Sequence, residues 1–204
     1  MRAMTRPRLT YFDMPVSRGE ECRLAFVLAG VDFDDHRIAR AEWPALKPTT
    51  PFGALPVLEV PGYPPMGQSN AILALIGRLH GLHPTDPYEA ALHEAVMASV
   101  EELRGLVAPS GTLPDDEKRE ARERLSTRSI PTWAGFIEAQ IGDGPFYAGA
   151  KPHVVDVKLC VGLRAFRNGV MDYIPTTVFD AFPRLLRLCD AVSDHPAVKA
   201  WYAR

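Results

Sequence analysis

The chain changes texture between Gly81 and Pro87, and this break limits its possible folds more than any other feature. Upstream, short segments are interrupted again and again by proline; downstream, apolar residues recur at helical spacing over long stretches. A switch of that kind marks a domain boundary. At 204 residues the chain is long for one small domain and suits a compact pair. An α/β domain is therefore expected over residues 5–83, and an all-helical domain over residues 86–204.

The upstream part opens with Leu9-Thr10-Tyr11-Phe12, a run of strand formers closed by Asp13-Met14-Pro15. Ser17-Arg18-Gly19-Glu20 then reads as a capping box at a helix start. Behind it Cys22, Ala25, Phe26 and Ala29 share one helical face, and Gly30 ends the helix. Residues 31–38 supply a second strand, parallel to the first and joined to it through the helix. A third strand starts at Pro56, where a missing ladder donor is tolerated. Residues 63–66 return antiparallel after the Pro61-Gly62 turn. Ser69 then caps a helix with the face Ile72, Leu75, Ile76 and Leu79.

Downstream, Asp86-Pro87-Tyr88-Glu89 begins a long helix carrying Leu92, Val96, Val100, Leu103 and Val107. A second spans residues 115–141, with Ala121, Leu125, Trp133, Phe136, Ile137 and Ile141 as buried positions. Pro131 should kink it by removing an amide and crowding the preceding turn. Shorter helices are expected near residues 155–168, 179–192 and 196–203.

Composition narrows the function classes. A net charge of -2 offers no basic excess to draw nucleic acid or an anionic membrane. The positive charge within residues 1–8 is followed by no apolar core of signal-peptide length, and no apolar run approaches membrane-spanning length. A cytoplasmic protein with no nucleic-acid and no membrane partner is expected. Cys22, Cys160 and Cys189 fit neither a disulfide framework nor a zinc pattern, and each falls on an apolar helix face, as small buried hydrophobes do. His80 and His83 come closest to a ligand pair, but their place at a helix end favours a helix-end role, so no metal is expected.

Three places could carry chemistry. Leu55-Pro56, after a glycine and before a strand, suits a cis-proline turn, or simply a trans proline entering an edge strand. Gln68-Ser69 stands at a helix N-terminus, where amides and the macrodipole favour an anion, or where serine is only a cap. Tyr11 ends a strand beside the first helix, as a packed ring or as a reactive hydroxyl.

Leu9-Thr10-Tyr11-Phe12, Arg18-Gly19-Glu20, His36-Arg37-Ile38, Trp43-Pro44, Lys47, residues 51–56 and Gln68-Ser69 occur in an order and spacing that resemble the cytosolic glutathione transferases, the sigma class above all. The resemblance extends into the helical part through Tyr147-Ala148-Gly149 and Asp156. It implies a thioredoxin-like glutathione-binding domain, a helical substrate-binding domain and a homodimer. It also implies a detoxifying transferase with glutathione as co-substrate and no metal.

On this resemblance Tyr11 matches the catalytic tyrosine and Arg18 an arginine near the thiolate. Gln68 and Ser69 match the binders of the γ-glutamyl end. Leu55 matches the residue whose backbone pairs with the cysteinyl unit, with Pro56 as the cis-proline. Trp43 and Lys47 match contacts to the glycyl end. Glu102 matches an acidic residue that reaches the neighbouring subunit's glutathione, with Glu101 as its competitor. Phe12 and Arg104 are expected beside the second substrate, a small hydrophobic electrophile.

Departures are visible too. Ala54 replaces a polar residue common before the Leu/Ile-Pro pair. The loop from Tyr11 to Arg18 is longer and brings in Ser17 as a rival hydroxyl. His153 stands where a Ser or Thr cap is usual. Two other readings use the same fold: a non-catalytic binding or structural protein, and a glutathione-dependent isomerase of the prostaglandin type. A reductase of the omega type is disfavoured, since Cys22 lies inside the helix and no Cys-x-x-Cys exists.

Overall fold

The computed structural model describes residues 6–204; the expected domain start at Thr5 lies outside them. By its contacts the described chain divides into residues up to Thr85 together with Pro196–Arg204, and Asp86–His195.

The first unit is built on a four-stranded sheet in the order β2-β1-β3-β4. Strand β1 (Arg8–Phe12) alternates, burying Leu9 and Tyr11 on one face. Helix α1 (Ser17–Ala29) carries the chain to β2 (Asp34–Ile38), which pairs parallel with β1. That strand starts later than residue 31 because residues 30 and 31 close the helix. Gly30 takes a left-handed φ of 64°, and the Gly30 and Val31 amides donate to the Val27 and Phe26 carbonyls at 3.1 Å each. A short helix α2 (Trp43–Leu46) and a 3₁₀ turn lead to β3 (Val57–Glu59), antiparallel to β1, and β4 (Met66–Gly67) returns beside it. Pairing waits until Met66, since Pro64 and Pro65 have no amide to offer a ladder.

Helix α3 (Ser69–His80) packs against α1. It buries Ile72, Leu73, Ile76 and Gly77, while Leu75 is half-buried and Leu79 exposed, so the covered face is turned from the one its leucine spacing predicts. On α1, Cys22, Ala25 and Phe26 are buried as expected, and so are Glu20, Glu21 and Arg23, because the helix is covered on several sides. The expected capping box does not form. Val16 holds the cap position without a side-chain bond, and the Glu20 carboxylate is taken by Arg23 and Trp201 instead.

In the second unit, α4 (Pro87–Val107) starts on Asp86, whose Oδ1 accepts the Tyr88 and Glu89 amides at 2.9 Å each. Val96, Val100, Leu103 and Val107 are buried with Met97, but Leu92 is exposed. The expected single helix over residues 115–141 resolves into α5 (Asp115–Arg124), a π-helical turn at Leu125–Ser129, and α6 (Ile130–Glu138). Pro131 stands directly after the wide turn, which absorbs the backbone disturbance that a proline brings. Ile137 and Ile141 are buried, Ala121, Leu125 and Trp133 half-buried, and Phe136 is exposed. Helix α7 (Val154–Arg167), buried along most of its length, packs against α4 and against α8 (Pro183–Asp194).

By its contacts the last helix of the described residues, α9 (Pro196–Tyr202), groups with the first unit. It packs on α1. The Trp201 ring stacks on Phe33 at 6.0 Å, and its Nε1 donates to Glu20 at 3.1 Å.

Candidate functional site

Register sets the site. Thr10 of β1 lies opposite Val57 of β3, and Val57 lies opposite Gly67 of β4. One residue beyond these pairs, at the same end of the sheet, stand Tyr11, Pro56 and Gln68. Neighbouring strands run about 4.8 Å apart, so the three positions form a short row. The Leu55–Pro56 bond is cis. Gln68 takes φ 68° and ψ 110°, a left-handed backbone that a non-glycine residue holds at a cost of about 1–3 kcal/mol. Ser69 follows at the first turn of α3, and no side chain caps that helix from Gln68.

Tyr11 is almost wholly buried. Its ring lies against Gly19 of α1 so closely that a Cβ on Gly19 would stand 2.0 Å from the Tyr11 Cδ1, so only glycine fits there. Phe12 meets the Tyr11 ring edge-on at 5.6 Å and the Trp43 ring at 6.1 Å, which draws α2 toward the same end of the sheet. Arg40 sets its guanidinium 5.4 Å from the centre of the Phe12 ring. In the segment before the cis bond, the Lys47 side chain runs beside Gly53, and the Phe52 ring covers Gly67.

The sequence reading singled out Arg18, which stands half-buried on the first turn of α1. The guanidinium set over the Tyr11 ring, at 5.9 Å, is that of Arg23. Arg23 is fully buried and donates to the carbonyls of Phe12 (3.1 Å) and Met14 (2.9 Å), to Asp35 (2.8 Å) and to Glu20 (3.3 Å). It thereby ties down the turn that leaves Tyr11. Charged residues inside the apolar pattern of α1 were the signal for Gly19, Glu20 and Arg23, which that reading did not use as site residues. A cavity of about 730 Å³ also opens in this unit, lined by Phe26, Phe33, Trp201 and Arg204 among others, with none of Tyr11, Pro56 and Gln68 in its wall.

In the second unit the two candidate glutamates separate. Glu101 turns to Arg104 at 2.7 Å and to the buried Lys158, whereas Glu102 is exposed. At the start of α7 the Asp156 carboxylate accepts the Tyr147 and His153 amides at 2.7 Å each. The carboxylate half of a capping box is thus kept where His153 replaces the usual hydroxyl residue. Burial pushes the Asp156 carboxyl up to about 7, against the opposite pull of those amides. Among the described residues no group of three or more His, Cys, Asp or Glu is arranged to hold a metal, and no helix is long and apolar enough to cross a membrane.

A four-stranded mixed sheet entered through a cis-proline and packed with helices, followed along the chain by a helical unit, is a thioredoxin-like domain and an all-helical domain in sequence. Family models agree: residues 7–78 match the glutathione S-transferase N-terminal domain and residues 106–204 the C-terminal domain. The chain is 33% identical over 194 residues to hematopoietic prostaglandin D synthase of Gallus gallus, covering 95% of this chain and 94% of that one. It is 32% identical to a glutathione S-transferase of Anopheles gambiae, covering 97% and 95%. The solved structure of prostaglandin synthase D of Nilaparvata lugens superposes with a TM-score of 0.86 at 27% identity, covering 98% of each chain. The chain belongs to the glutathione S-transferase family. Glutathione is the co-substrate of that family.

Proposed function

We propose that the Tyr11 hydroxyl activates the thiol of glutathione bound along the row of Tyr11, Pro56 and Gln68, and that the thiolate attacks a small hydrophobic electrophile. The carrying observation is the register, which sets Tyr11, the cis-proline and the start of α3 abreast on adjacent strands. A free cysteinyl thiol titrates near 8.5, so only a few per cent is thiolate at neutral pH. A phenolic hydrogen bond to the sulfur favours the anion, at about 1.4 kcal/mol per unit of lowering. The thiolate then forms its bond to carbon without a covalent enzyme intermediate.

The remaining residues bind. Gln68 and the Ser69 amide receive the γ-glutamyl carboxylate at the α3 N-terminus. Leu55 pairs its backbone with the cysteinyl unit as an added strand would. Trp43 and Lys47 hold the glycyl end, the lysine as charge partner. Arg18 adds positive charge near the sulfur. A cytoplasmic homodimer with a detoxifying role completes this reading, in which Glu102 of one subunit reaches the glutathione amine of the other. Support for a dimer comes from large apolar side chains left in water, among them Phe52 (64% exposed), Phe136 (69%) and Leu92 (45%).

A second reading, isomerisation of a prostaglandin-type lipid peroxide, is supported by the likeness to the prostaglandin D synthase of Gallus gallus and the prostaglandin synthase D of Nilaparvata lugens. It begins from the same thiolate. Conjugation of glutathione to chlorodinitrobenzene tests the shared step. Tyr11→Phe is expected to lower kcat about 100-fold or more while the KM for glutathione stays close to wild type. Unchanged turnover would move the role to Ser17 and overturn the assignment.

A further inference from the structure

Outside the glutathione row, one pair of nucleophiles is left unused. Cys160 on α7 and Cys189 on α8 are both free thiols in the second unit. Buried cysteines ordinarily act as small hydrophobes; these two are also neighbours. The Cys160 Sγ donates to the Cys189 carbonyl at 3.5 Å and lies 3.7 Å from the Ser193 Oγ. The Cys160 sulfur thus reaches the Cys189 residue itself, and each thiol shifts the titration of the other. Ser193 in turn donates to the same Cys189 carbonyl at 2.8 Å, and an Arg167–Asp190 bond of 3.0 Å clasps the two helices beside them. Cys160 and Cys189 therefore meet across the packed pair of α7 and α8.

Their surroundings differ. Hydrogen bonds from Cys189 and Ser193, with the charges of Arg164 and Arg167, hold the Cys160 thiol below the ordinary range against the effect of burial. Its partner Cys189 is pushed well up, by the same contact and by complete burial. Cys160 also retains a trace of exposure, 6% against 1%. One sulfur is thus set up to attack and the other to follow.

We propose that Cys160 and Cys189 close into a reversible disulfide on exposure to hydrogen peroxide, with Cys160 attacking first and Cys189 resolving. The Cys160 sulfur bonds to one peroxide oxygen as the O–O bond breaks, and the departing hydroxide takes up a proton to become water. Cys160 is then a sulfenic acid. The Cys189 sulfur displaces the sulfenic oxygen, which leaves as a second water, and the S–S bond forms. Two thiols give up two electrons and two hydrogens, and one peroxide is reduced.

Peroxide treatment of the native chain, alkylation of remaining thiols and peptide mass spectrometry test this, with Cys22 in the first unit as internal control. A linked peptide containing Cys160 and Cys189, lighter by two hydrogen atoms and released by dithiothreitol, is expected while Cys22 stays alkylated. Cys160→Ser and Cys189→Ser, each with an unchanged circular dichroism spectrum, should abolish the link. In Cys189→Ser, a dimedone adduct should gather on Cys160. Failure of the link to form at peroxide doses that already oxidise Cys22 or methionines would overturn the proposal. So would a dimedone adduct on Cys189 in Cys160→Ser with none on Cys160 in Cys189→Ser.

Discussion

Helix α3 of the first unit begins differently from α4 and α7 of the second. At α4 the Asp86 side chain accepts two amides, and at α7 the Asp156 carboxylate reaches back to the His153 amide. Both starts are closed from within by an acidic group, as the dipole favours. At α3 the cap position belongs to Gln68, in a left-handed backbone and without a side-chain cap bond. A start like those of α4 and α7 supplies its own acceptor. On the proposed function, the α3 start takes its acceptor from the ligand carboxylate and accepts backbone strain at Gln68 in doing so.

The largest test of this contrast is pH. Asp156 titrates near 7 in the folded chain and near 3.9 when unfolded. Between those values the folded state holds a proton that the unfolded chain has released. Stability from this group is therefore complete below about pH 4 and is lost as pH rises through about 7, by on the order of 4 kcal/mol. Urea midpoints of wild type minus Asp156→Asn should fall over that window; a flat difference would remove Asp156 from the account. Next in size, Ser69→Ala should raise the KM for glutathione about tenfold, or about 1.4 kcal/mol, with the melting temperature nearly unchanged. A loss of stability without a change in KM would make α3 just another structural start. Asp86→Ala should do the reverse, costing about 1 kcal/mol of stability with KM unaffected. Smallest, Gln68→Gly should relieve the backbone and stabilise the free protein by up to about 1 kcal/mol while weakening glutathione binding, read by calorimetry on the same sample.

Much of this was legible in the sequence because local chemistry wrote it. The strand–helix–strand unit, the Pro56 strand entry, the Gln68-Ser69 helix start and the Asp86 cap all depend on residues within a few positions of one another. Burial was less legible. Leu92, Leu79 and Phe136 repeat at helical spacing yet are exposed, since periodicity reports an apolar stripe and not what covers it. The partners of Arg23 and Glu20 were out of reach for a related reason. Arg23 meets the Phe12 carbonyl 11 residues away, and Glu20 meets Trp201 across 181 residues. Nothing in a local window shows those partners. The π-helical turn falls between: Pro131 announced a disturbance, but whether the chain bends or widens depends on neighbouring packing.

The Glu20–Trp201 bond has a consequence for the order of events during synthesis. Domains generally fold in sequence as a chain leaves the ribosome, amino end first. Here the turn beyond Tyr11 is fixed by Arg23, Arg23 is paired with Glu20, and Glu20 is bonded to an indole 181 positions later. The nascent first unit can form its sheet early, yet the turn beyond Tyr11 stays unfinished until α9 emerges. Translation past Trp201 thus sets the earliest moment at which a newly made molecule is fully assembled around Tyr11.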